Sequence, residues 1–272
     1  MTPRIDVVIV SFNTREDLAR CLASLAAARA GPVAHIVVVD NASTDGTPAM
    51  VQADFPAVDL TALDTNVGFG AANNVGIRRA TSPLVLLLNP DTVVPAGAIE
   101  RMAARLEATG AVALGPRLVD TDGRPEVSFG PMLSPSGEAR QWLRQRLARS
   151  SARLARRHVA RLLGRERTVD WVTAACCLVR REAVVDAGLF DERFFMYEED
   201  VDLCAALRAR GGRILFSPVA EVIHARGRST SAMAGAGRAH YDRSHRLFYE
   251  KHRPRWAGLL RRWKQARGRD VP

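Results

Sequence analysis

The sequence predicts an α/β fold built on a doubly wound, mostly parallel sheet. Short apolar runs without polar alternation occur at 5–10, 35–39 and 84–88, which is typical of parallel strands buried on both faces. A segment with helical spacing of apolar residues follows each run, so strands and helices alternate along the first 110 residues. The length of 272 residues suits one large α/β domain.

The first half of the chain gives the clearest elements. After the strand at 5–10, Leu18, Leu22 and Leu25 recur at helical spacing behind an acidic first turn. The strand at 35–39 ends at Asp40 and precedes a polar turn and a weak helix around Met50. Helices are predicted over 71–80 and 96–108, on either side of the strand at 84–88.

Beyond residue 110 the predicted elements are shorter. An Asp-Gly pair at 122–123 predicts a hairpin turn. The segment 138–167 is rich in arginine, and its large apolar residues fall on one helical face: Trp142, Leu143, Leu147 and Leu154. We further expect a strand over 171–179, a helix over 198–210 ended by Gly211-Gly212, strands at 214–216 and 222–224, and a basic helical tail from Arg243.

Composition excludes several classes of protein. With 47% hydrophobic and 25% charged residues, the chain is neither disordered nor fibrous. No apolar run approaches the roughly 20 residues needed to span a bilayer, and the first ten residues predict a strand and not a secretory signal. The four cysteines show no CxxC spacing, which favours buried, reduced thiols in a cytosolic protein.

The net charge of +10 is unevenly distributed. Residues 1–130 sum to −4 and residues 171–230 to −1, whereas 131–170 sum to +7 and 231–272 to +8. Such asymmetry indicates contact of the basic segments with a polyanion or a membrane surface. Nucleic acid is one polyanion to consider, but no helix-turn-helix, RNP or zinc spacing supports a nucleic-acid-binding protein.

Polar residues follow the predicted strands at 11–13, 40–43 and 89–91. Ligands bind at the carboxyl ends of parallel strands, so we expect all three ends to open on one crevice. Asp40 suits hydrogen bonds to a nucleoside, or alternatively caps its own turn. Asp91 suits a hard cation bridging to phosphate oxygens, or alternatively caps the next helix. A dinucleotide site is disfavoured because no GxGxxG follows the first strand.

Three consecutive acids, Glu198-Glu199-Asp200, follow the apolar run Phe194-Phe195-Met196-Tyr197. Acids beside a partly dry cleft can have a raised pKa and serve as general bases. The alternative is that they only favour a helix N-terminus through the helix dipole. His224 ends a predicted strand, where a lone histidine is more often structural than a ligand.

Five ordered motifs together resemble a known family. They are Val-Val-Ile-Val-Ser-Phe-Asn at 7–13, Val-Val-Asp-Asn-Ala-Ser-Thr-Asp-Gly-Thr at 38–47, Asn-Val-Gly-Phe-Gly-Ala-Ala-Asn-Asn-Val-Gly-Ile at 66–77, Leu-Leu-Leu-Asn-Pro-Asp at 86–91 and Phe-Asp-Glu-Arg-Phe-Phe-Met-Tyr-Glu-Glu-Asp-Val-Asp-Leu-Cys at 190–204. Over residues 4–230 the chain resembles the family-2 inverting glycosyltransferases of the GT-A fold, nearest the rhamnosyltransferase-like branch. Motifs in this order and spacing are far more specific than any one alone.

The resemblance implies roles for individual residues. Asp200 would be the general base, with Glu199 beside it, and Asp91 and His224 would hold Mg²⁺ or Mn²⁺. Trp171 and Asp191 would contact the acceptor. The nucleotide-sugar would be contacted by Ser11, Asn13, Asp40, Asn66, Gly68, Asn74, Asn89 and Asp91. Two positions depart from the family pattern. Asn89 replaces the first acid of the common Asp-x-Asp motif, and Ala174 stands where relatives often have glycine, which would narrow the acceptor side.

The resemblance also implies the substrates and the organisation of the chain. A rhamnosyl group would pass from dTDP-rhamnose to a glycan or polyprenyl-diphosphate-linked saccharide in cell-envelope synthesis, with a UDP-sugar as the alternative donor. Residues 1–230 would form the transferase domain, with 138–167 as a basic helical insertion, and 231–272 a basic amphipathic extension. In that extension Trp256, Leu259, Leu260 and Trp263 share one helical stripe, which predicts either contact with anionic membrane at the inner, cytoplasmic face or packing on the domain itself.

Overall fold

The computed structural model describes residues 3–26, 31–225 and 237–258. Its first half alternates strands and helices as expected, in the order β1 (Ile5–Ser11), α1 (Arg15–Ala26), β2 (Val33–Asp40), α2 (Thr47–Asp54), β3 (Asp59–Ala62), α3 (Phe69–Arg79), β4 (Leu84–Leu88), β5 (Thr92–Val93) and α4 (Ala98–Thr109). The short edge strand β3 was not predicted, because its four residues are half-exposed and carry no apolar run.

The second half contains β6 (Ala113–Val119), β7 (Pro125–Glu126), β8 (Phe129–Gly130), α5 (Pro135–Ala148), α6 (Arg153–Leu163), β9 (Arg167–Val169), β10 (Trp171–Val172), β11 (Cys176–Arg180), α7 (Arg181–Asp186), α8 (Glu199–Ala209), β12 (Ile214–His224) and α9 (Gly237–His252). The predicted hairpin at 122–123 is confirmed, since β6 and β7 pair antiparallel around it.

The central sheet has the strand order β3-β2-β1-β4-β11-β6-β12-β5. Strands β3, β2, β1 and β4 are parallel, as are β6 and β12, whereas β11 runs antiparallel between β4 and β6. The predicted doubly wound, mostly parallel α/β sheet is therefore confirmed. In register, Ser11 lies opposite Asp40 and Ile9 opposite Leu88, so β1, β2 and β4 end at one edge.

Both faces of the sheet are covered, which explains the continuous apolar runs in the sequence. Val7 and Ile9 of β1 belong to the buried cluster that contains Leu18 of α1, whereas Val8 belongs to the cluster on the opposite face. Helix α3 approaches that face closely, because a Cβ added at Gly76 would lie 2.4 Å from Cγ1 of Val8. Each buried aliphatic side chain contributes about 1.5–3 kcal/mol to stability.

Two predictions about the second half were wrong. The expected strand over 171–179 is two strands, β10 and β11, because the chain turns at 173–175. There the backbone N–H of Thr173 donates to the carbonyl of Ser128 (2.9 Å). The two expected strands at 214–216 and 222–224 are one strand, β12, which continues through an irregular register between Ser217 and Glu221.

The arginine-rich segment is helical as predicted and forms two helices, α5 and α6. Trp142, Leu143 and Leu154 of the predicted apolar face are exposed. The face of α6 that does pack consists of Ala155, Val159 and Leu163.

Helix α9 begins before the predicted tail and packs on the domain. Phe248 and Tyr249 are buried in a cluster with Phe194 and Val201. Of the predicted stripe in the extension, Trp256 is described and exposed, while Leu259, Leu260 and Trp263 lie outside the described residues. Within the described ranges, none of the helices has both the length and the apolar character to cross a membrane.

All four cysteines are buried and free, as the sequence predicted: Cys21, Cys176, Cys177 and Cys204. Burial raises the pKa of every one of these thiols, to about 12 for Cys21 and Cys204. Their role is to fill the core on both sides of the sheet.

Candidate active site

A cavity of about 830 Å³ opens at the carboxyl ends of the parallel strands. Its walls come from the ends of β1 and β4, the loop before α3, the segments 126–138 and 171–175, the start of α8 and the end of β12. The expected crevice is therefore present, and the sequence-predicted residues that line it are Asn66, Gly68, Asn89, Asp91, Trp171, Glu199, Asp200 and His224.

Two adjacent acids stand at the start of α8. The backbone N–H of Ala174 donates to Oδ2 of Asp200 (3.2 Å), and the N–H of Val201 donates to Oδ1 (2.8 Å). Glu199 is buried, and its Oε2 accepts no hydrogen bond from the described residues. The two hydrogen bonds favour the charged form of Asp200, so the pair shares a charge that resides on Asp200.

The pKa of both carboxyl groups is raised, but for different reasons. Burial raises the pKa of Asp200, and the backbone hydrogen bonds oppose that shift. Burial and the neighbouring charge of Asp200 raise the pKa of Glu199 well above its usual range. A buried carboxylate with an elevated pKa has the properties of a general base.

The backbone before this pair is unusual. Tyr197 and Glu198 both adopt left-handed conformations, with φ of 69° and 63°. Two consecutive non-glycine residues in this region cost on the order of 1–3 kcal/mol each, and such strain concentrates at functional sites. The turn delivers Glu199 and Asp200 into the cavity as α8 begins.

A second polar group lies where β4 and β12 end. Nε2 of His224 is 3.4 Å from Oδ1 of Asp91 and 3.5 Å from Nδ2 of Asn89. On the other side of the ring, Nδ1 is 3.0 Å from Oε2 of Glu126. Burial lowers the pKa of His224, but the two carboxylates outweigh burial and raise it to about 9. Glu126 was not predicted from the sequence, because nothing local in β7 indicates its partner.

The same corner suits a hard cation. Oδ1 of Asn89 and Oδ1 of Asp91 are buried and accept no hydrogen bond from the residues described. Oxygen ligands of this kind suit Mg²⁺ or Mn²⁺, and Mg²⁺ is commonly held by one or two protein carboxylates together with substrate phosphates. Across the ranges the structure describes, no group of three His, Cys, Asp or Glu side chains is arranged to hold a metal ion.

Asp40 is buried at the end of β2, behind the cavity wall. Its Oδ2 accepts the backbone N–H of Ser43 (2.9 Å), which is the turn-capping alternative, while its Oδ1 accepts no hydrogen bond in the described structure. Ser11 and Asn13 do not line the cavity, contrary to expectation. The hydroxyl of Ser11 hydrogen-bonds to that of Thr14 (2.9 Å), and Oδ1 of Asn13 accepts the N–H of Thr44 (2.8 Å).

The loop before α3 is held by Asn41, which the sequence analysis missed. Nδ2 of Asn41 donates to Oδ1 of Asn66 (2.8 Å), and Oδ1 of Asn41 accepts the N–H of Val67 (2.9 Å). Next in the chain is Gly68, with φ of 89°, where an added Cβ would lie 2.5 Å from the carbonyl oxygen of Phe195. Glycine is required at this contact by both its conformation and the available space.

Asn74 and Asp191 do not line the cavity, and the roles expected for them in nucleotide and acceptor binding stay predictions. The amide of Asn74 clamps the backbone of Phe190, donating to its carbonyl (2.9 Å) and accepting its N–H (2.9 Å). Asp191 is bound by Arg193 (2.6 Å) and Lys251 (2.8 Å), which hold the pKa of its carboxyl well below the usual range. Both residues fix the segment that leads to α8.

The side of the cavity opposite β4 is aromatic. Trp171 lines it and donates its Nε1–H to the carbonyl of Pro131 (2.9 Å). Trp142, Phe195, Tyr197 and Tyr241 complete this wall. Tyr241 comes from α9 and stacks edge-on against Tyr197, with ring centroids 5.9 Å apart. The apolar lead-in to the acidic run was visible in the sequence, but the contribution of α9 was not.

Comparisons with known proteins agree with this geometry. Residues 3–243 match the family described as glycosyltransferase like family 2. Over 278 aligned residues, the chain is 35% identical to the N-acetylglucosaminyl-diphospho-decaprenol L-rhamnosyltransferase of Mycobacterium tuberculosis, covering 96% of this chain and 89% of that protein.

Solved structures show the same fold at lower identity. The mannosyltransferase PcManGT from Pyrobaculum calidifontis, in complex with GDP-Man and Mn²⁺, has a TM-score of 0.61 and 18% identity, covering 96% of this chain and 69% of that one. GalNAc-T7 with UDP, GalNAc and Mn²⁺ has a TM-score of 0.59 and 16% identity, covering 82% of this chain and 44% of that one, so this chain spans less than half of it. The α/β fold is therefore of the GT-A type, and the chain belongs to the glycosyltransferases of the family-2-like group.

Proposed function

We propose that the protein is an inverting rhamnosyltransferase that uses dTDP-rhamnose and a saccharide carried on a polyprenyl diphosphate. The observation that carries the proposal is its 35% identity, over nearly the whole of both chains, to a protein named as an N-acetylglucosaminyl-diphospho-decaprenol L-rhamnosyltransferase. The proposed place of action is the cytoplasmic face of the cell membrane, where its product enters cell-envelope glycan synthesis.

The donor would occupy the side of the cavity near β2 and β4. The unpartnered Oδ1 of Asp40 is available to the nucleoside if the nearby loop shifts, and Asn66 and Gly68 line the approach. The diphosphate would lie against Asn89, Asp91 and His224, where the side-chain oxygens of Asn89 and Asp91 can hold Mg²⁺ or Mn²⁺. Such a cation supplies charge stabilisation to the leaving diphosphate when bound.

The chain's own residues account for the remaining chemistry. The acceptor hydroxyl attacks the anomeric carbon in line with the departing nucleoside diphosphate, and Asp200 takes the hydroxyl proton. The raised pKa of Asp200 suits that task, and its two backbone hydrogen bonds fix the carboxylate. His224, whose Nε2 lies 3.4 Å from Oδ1 of Asp91, would donate a hydrogen bond toward the diphosphate. A single displacement needs no enzyme nucleophile.

The acceptor would enter along the aromatic wall. Trp171 and Tyr197 offer flat apolar faces next to Asp200, and aromatic faces of this kind support a sugar ring while excluding water. Ala174, which donates its N–H to Asp200, places a methyl group in this wall.

A transfer assay tests the proposal. The purified protein is incubated with a short-chain N-acetylglucosaminyl-diphospho-prenol and either dTDP-rhamnose or a panel of UDP-sugars, with and without Mg²⁺ or Mn²⁺. We expect a rhamnosylated product, identified by mass, with inversion at the anomeric carbon shown by NMR. Transfer from a UDP-sugar alone would replace the donor assignment, and DNA binding without any transfer would replace the enzyme assignment.

A further inference from the structure

The helical hairpin formed by α5 and α6, residues 135–163, presents a strongly basic outer surface. Seven of its arginines are exposed, and its single acidic residue is Glu138, which turns inward to His245 (3.2 Å) and Tyr249. The exposed arginines are Arg140, Arg146, Arg149, Arg153, Arg156, Arg157 and Arg161. Among the residues that the structure describes, no carboxylate forms an ion pair with any of them.

The hairpin is anchored, so this surface has a fixed direction. Ala155, Val159 and Leu163 of α6 are buried against the domain, at a spacing of four residues. The opposite face of the helix, which carries the arginines, therefore points into solvent. Because one face of α6 is packed on the domain, the arginines on its other face form a patch with a fixed position on the protein surface.

Large apolar side chains stand among these arginines. Trp142 is 59% exposed, Leu143 50% and Leu154 79%. The guanidinium of Arg146 lies 5.2 Å from the centre of the Trp142 ring. A cationic helix surface bearing exposed tryptophan and leucine has the composition that inserts into the headgroup layer of an anionic bilayer. Binding to nucleic acid would involve contacts between the arginines and phosphates. Such contacts do not explain the exposed leucines.

The hairpin also contributes to the active-site cavity. Trp142 and Gln145 of α5 both line that cavity, on the aromatic side assigned to the acceptor. We propose that the outer surface of the α5–α6 hairpin docks on anionic phospholipid and holds the cavity mouth at the headgroup layer. This inference rests on the proposed function, because an acceptor anchored by a prenyl chain can then reach Asp200 while its lipid stays in the membrane.

Vesicle binding tests the surface separately from catalysis. The full-length protein is mixed with vesicles of phosphatidylcholine alone, or of phosphatidylcholine with phosphatidylglycerol, at low and high salt, and bound protein is measured by co-sedimentation. We expect binding to the anionic vesicles only, weakened by salt. The double substitution Arg153→Glu and Arg157→Glu should weaken it by at least about tenfold, since each basic residue near an anionic surface contributes substantially to attraction.

A matched control separates the patch from net charge. Arg4 and Arg210 are also exposed and form no ion pair within the described ranges, but they lie at the amino end of β1 and beyond the C-terminus of α8. The Arg4→Glu and Arg210→Glu double variant changes the charge equally and should bind like the unmodified protein. An equal loss of binding to anionic vesicles in the hairpin variant and in this control variant would overturn the proposal.

Two further arms complete the test. If Arg261→Glu with Arg262→Glu abolishes vesicle binding while the hairpin variant binds normally, the C-terminal segment carries the contact and the proposal is wrong. If the hairpin variant loses affinity for duplex DNA but not for vesicles, the partner is nucleic acid.

Transfer to a water-soluble short-chain acceptor without vesicles should be unchanged in the hairpin variant. Absence of that transfer in the unmodified protein would refute the proposed function and leave the vesicle result standing.

Discussion

Oε2 of Glu126 lies 3.0 Å from Nδ1 of His224, while Asp91 approaches the other ring nitrogen at 3.4 Å. The imidazole is thus held between two carboxylates in a buried setting, and its pKa rises to about 9. Glu126 fixes which ring nitrogen of His224 faces Asp91. This contact joins segments 98 residues apart.

The pH dependence of stability should report this contact. The pKa of folded His224 is raised above its usual value of 6.5, so the stabilisation is complete below that pH and is lost as pH rises through about 9. Glu126→Gln should lower the free energy of unfolding by roughly 1–3 kcal/mol near pH 6, with the difference shrinking toward pH 10. Urea unfolding across this range measures it.

A second glutamate provides the control for that experiment. Glu166 hydrogen-bonds to Arg105 (2.6 Å), and this contact lowers the pKa of its carboxyl group. Glu166→Gln should therefore change stability by an amount that is flat between about pH 6 and pH 10, because its lowered pKa lies below that range. A pH-independent effect of Glu126→Gln would contradict the assignment of charge to His224.

The two acids of α8 should differ in their importance for transfer. Asp200→Asn removes the base while keeping an oxygen for the N–H of Ala174, so transfer should fall by at least about 10²-fold with donor affinity retained. Glu199→Gln mimics the protonated acid and should lower the rate less than about tenfold. Steady-state kinetics and calorimetric binding of dTDP distinguish the two, and near-normal turnover in Asp200→Asn would move the base elsewhere.

The cation assignment depends on Asp91. Mg²⁺ or Mn²⁺ should tighten dTDP binding to the unmodified protein, and Asp91→Asn should reduce that tightening by at least about tenfold. Asp59→Asn is the matched control, because Asp59 forms a surface pair with Arg79 (2.8 Å) on the edge strand. Isothermal titration with and without EDTA measures both. Unchanged binding and activity in EDTA would show that His224 and backbone donors suffice.

The contact between the loop before α3 and the segment before α8 should be intolerant of a single methyl group. Gly68→Ala adds a Cβ that would lie 2.5 Å from the carbonyl of Phe195, whereas Gly110, also at positive φ, has no atom within 4 Å of an added Cβ. Gly110→Ala should cost about 1 kcal/mol from conformation alone. Gly68→Ala should cost about 1–3 kcal/mol more and weaken donor binding. Equal losses in thermal unfolding would mean that the loops adjust freely.

The parallel half of the sheet was predictable because strands that are buried on both faces consist of continuous apolar runs, and both ends of β4 were predicted correctly. The interruptions of the strands in the second half could not be predicted. Residues 171–179 are apolar except for Thr173, and the turn at 173–175 is stabilised by partners far along the chain, including Asp200, which accepts the N–H of Ala174. Such contacts leave no periodic signal.

The residues of the candidate site also differ in how well they could be predicted from the sequence. Asp91 and Asp200 were found because strand ends and an acidic run are local features. The contact of the Asn74 amide with Phe190, 116 residues later, could not be predicted, because a motif does not show such a distant partner. Glu126 and Tyr241 were missed because each enters the site from a segment whose own sequence carries no mark of the cavity.

The burial of all four thiols has a practical consequence. Alkylating reagents react with the thiolate form of cysteine. A thiol that is buried in a packed core and has a pKa near 12 is neither deprotonated nor accessible to such reagents. A cysteine introduced on an exposed helix position would then be the preferred target for a maleimide dye or spin label. The natural chain is therefore already suited to labelling at a single introduced cysteine.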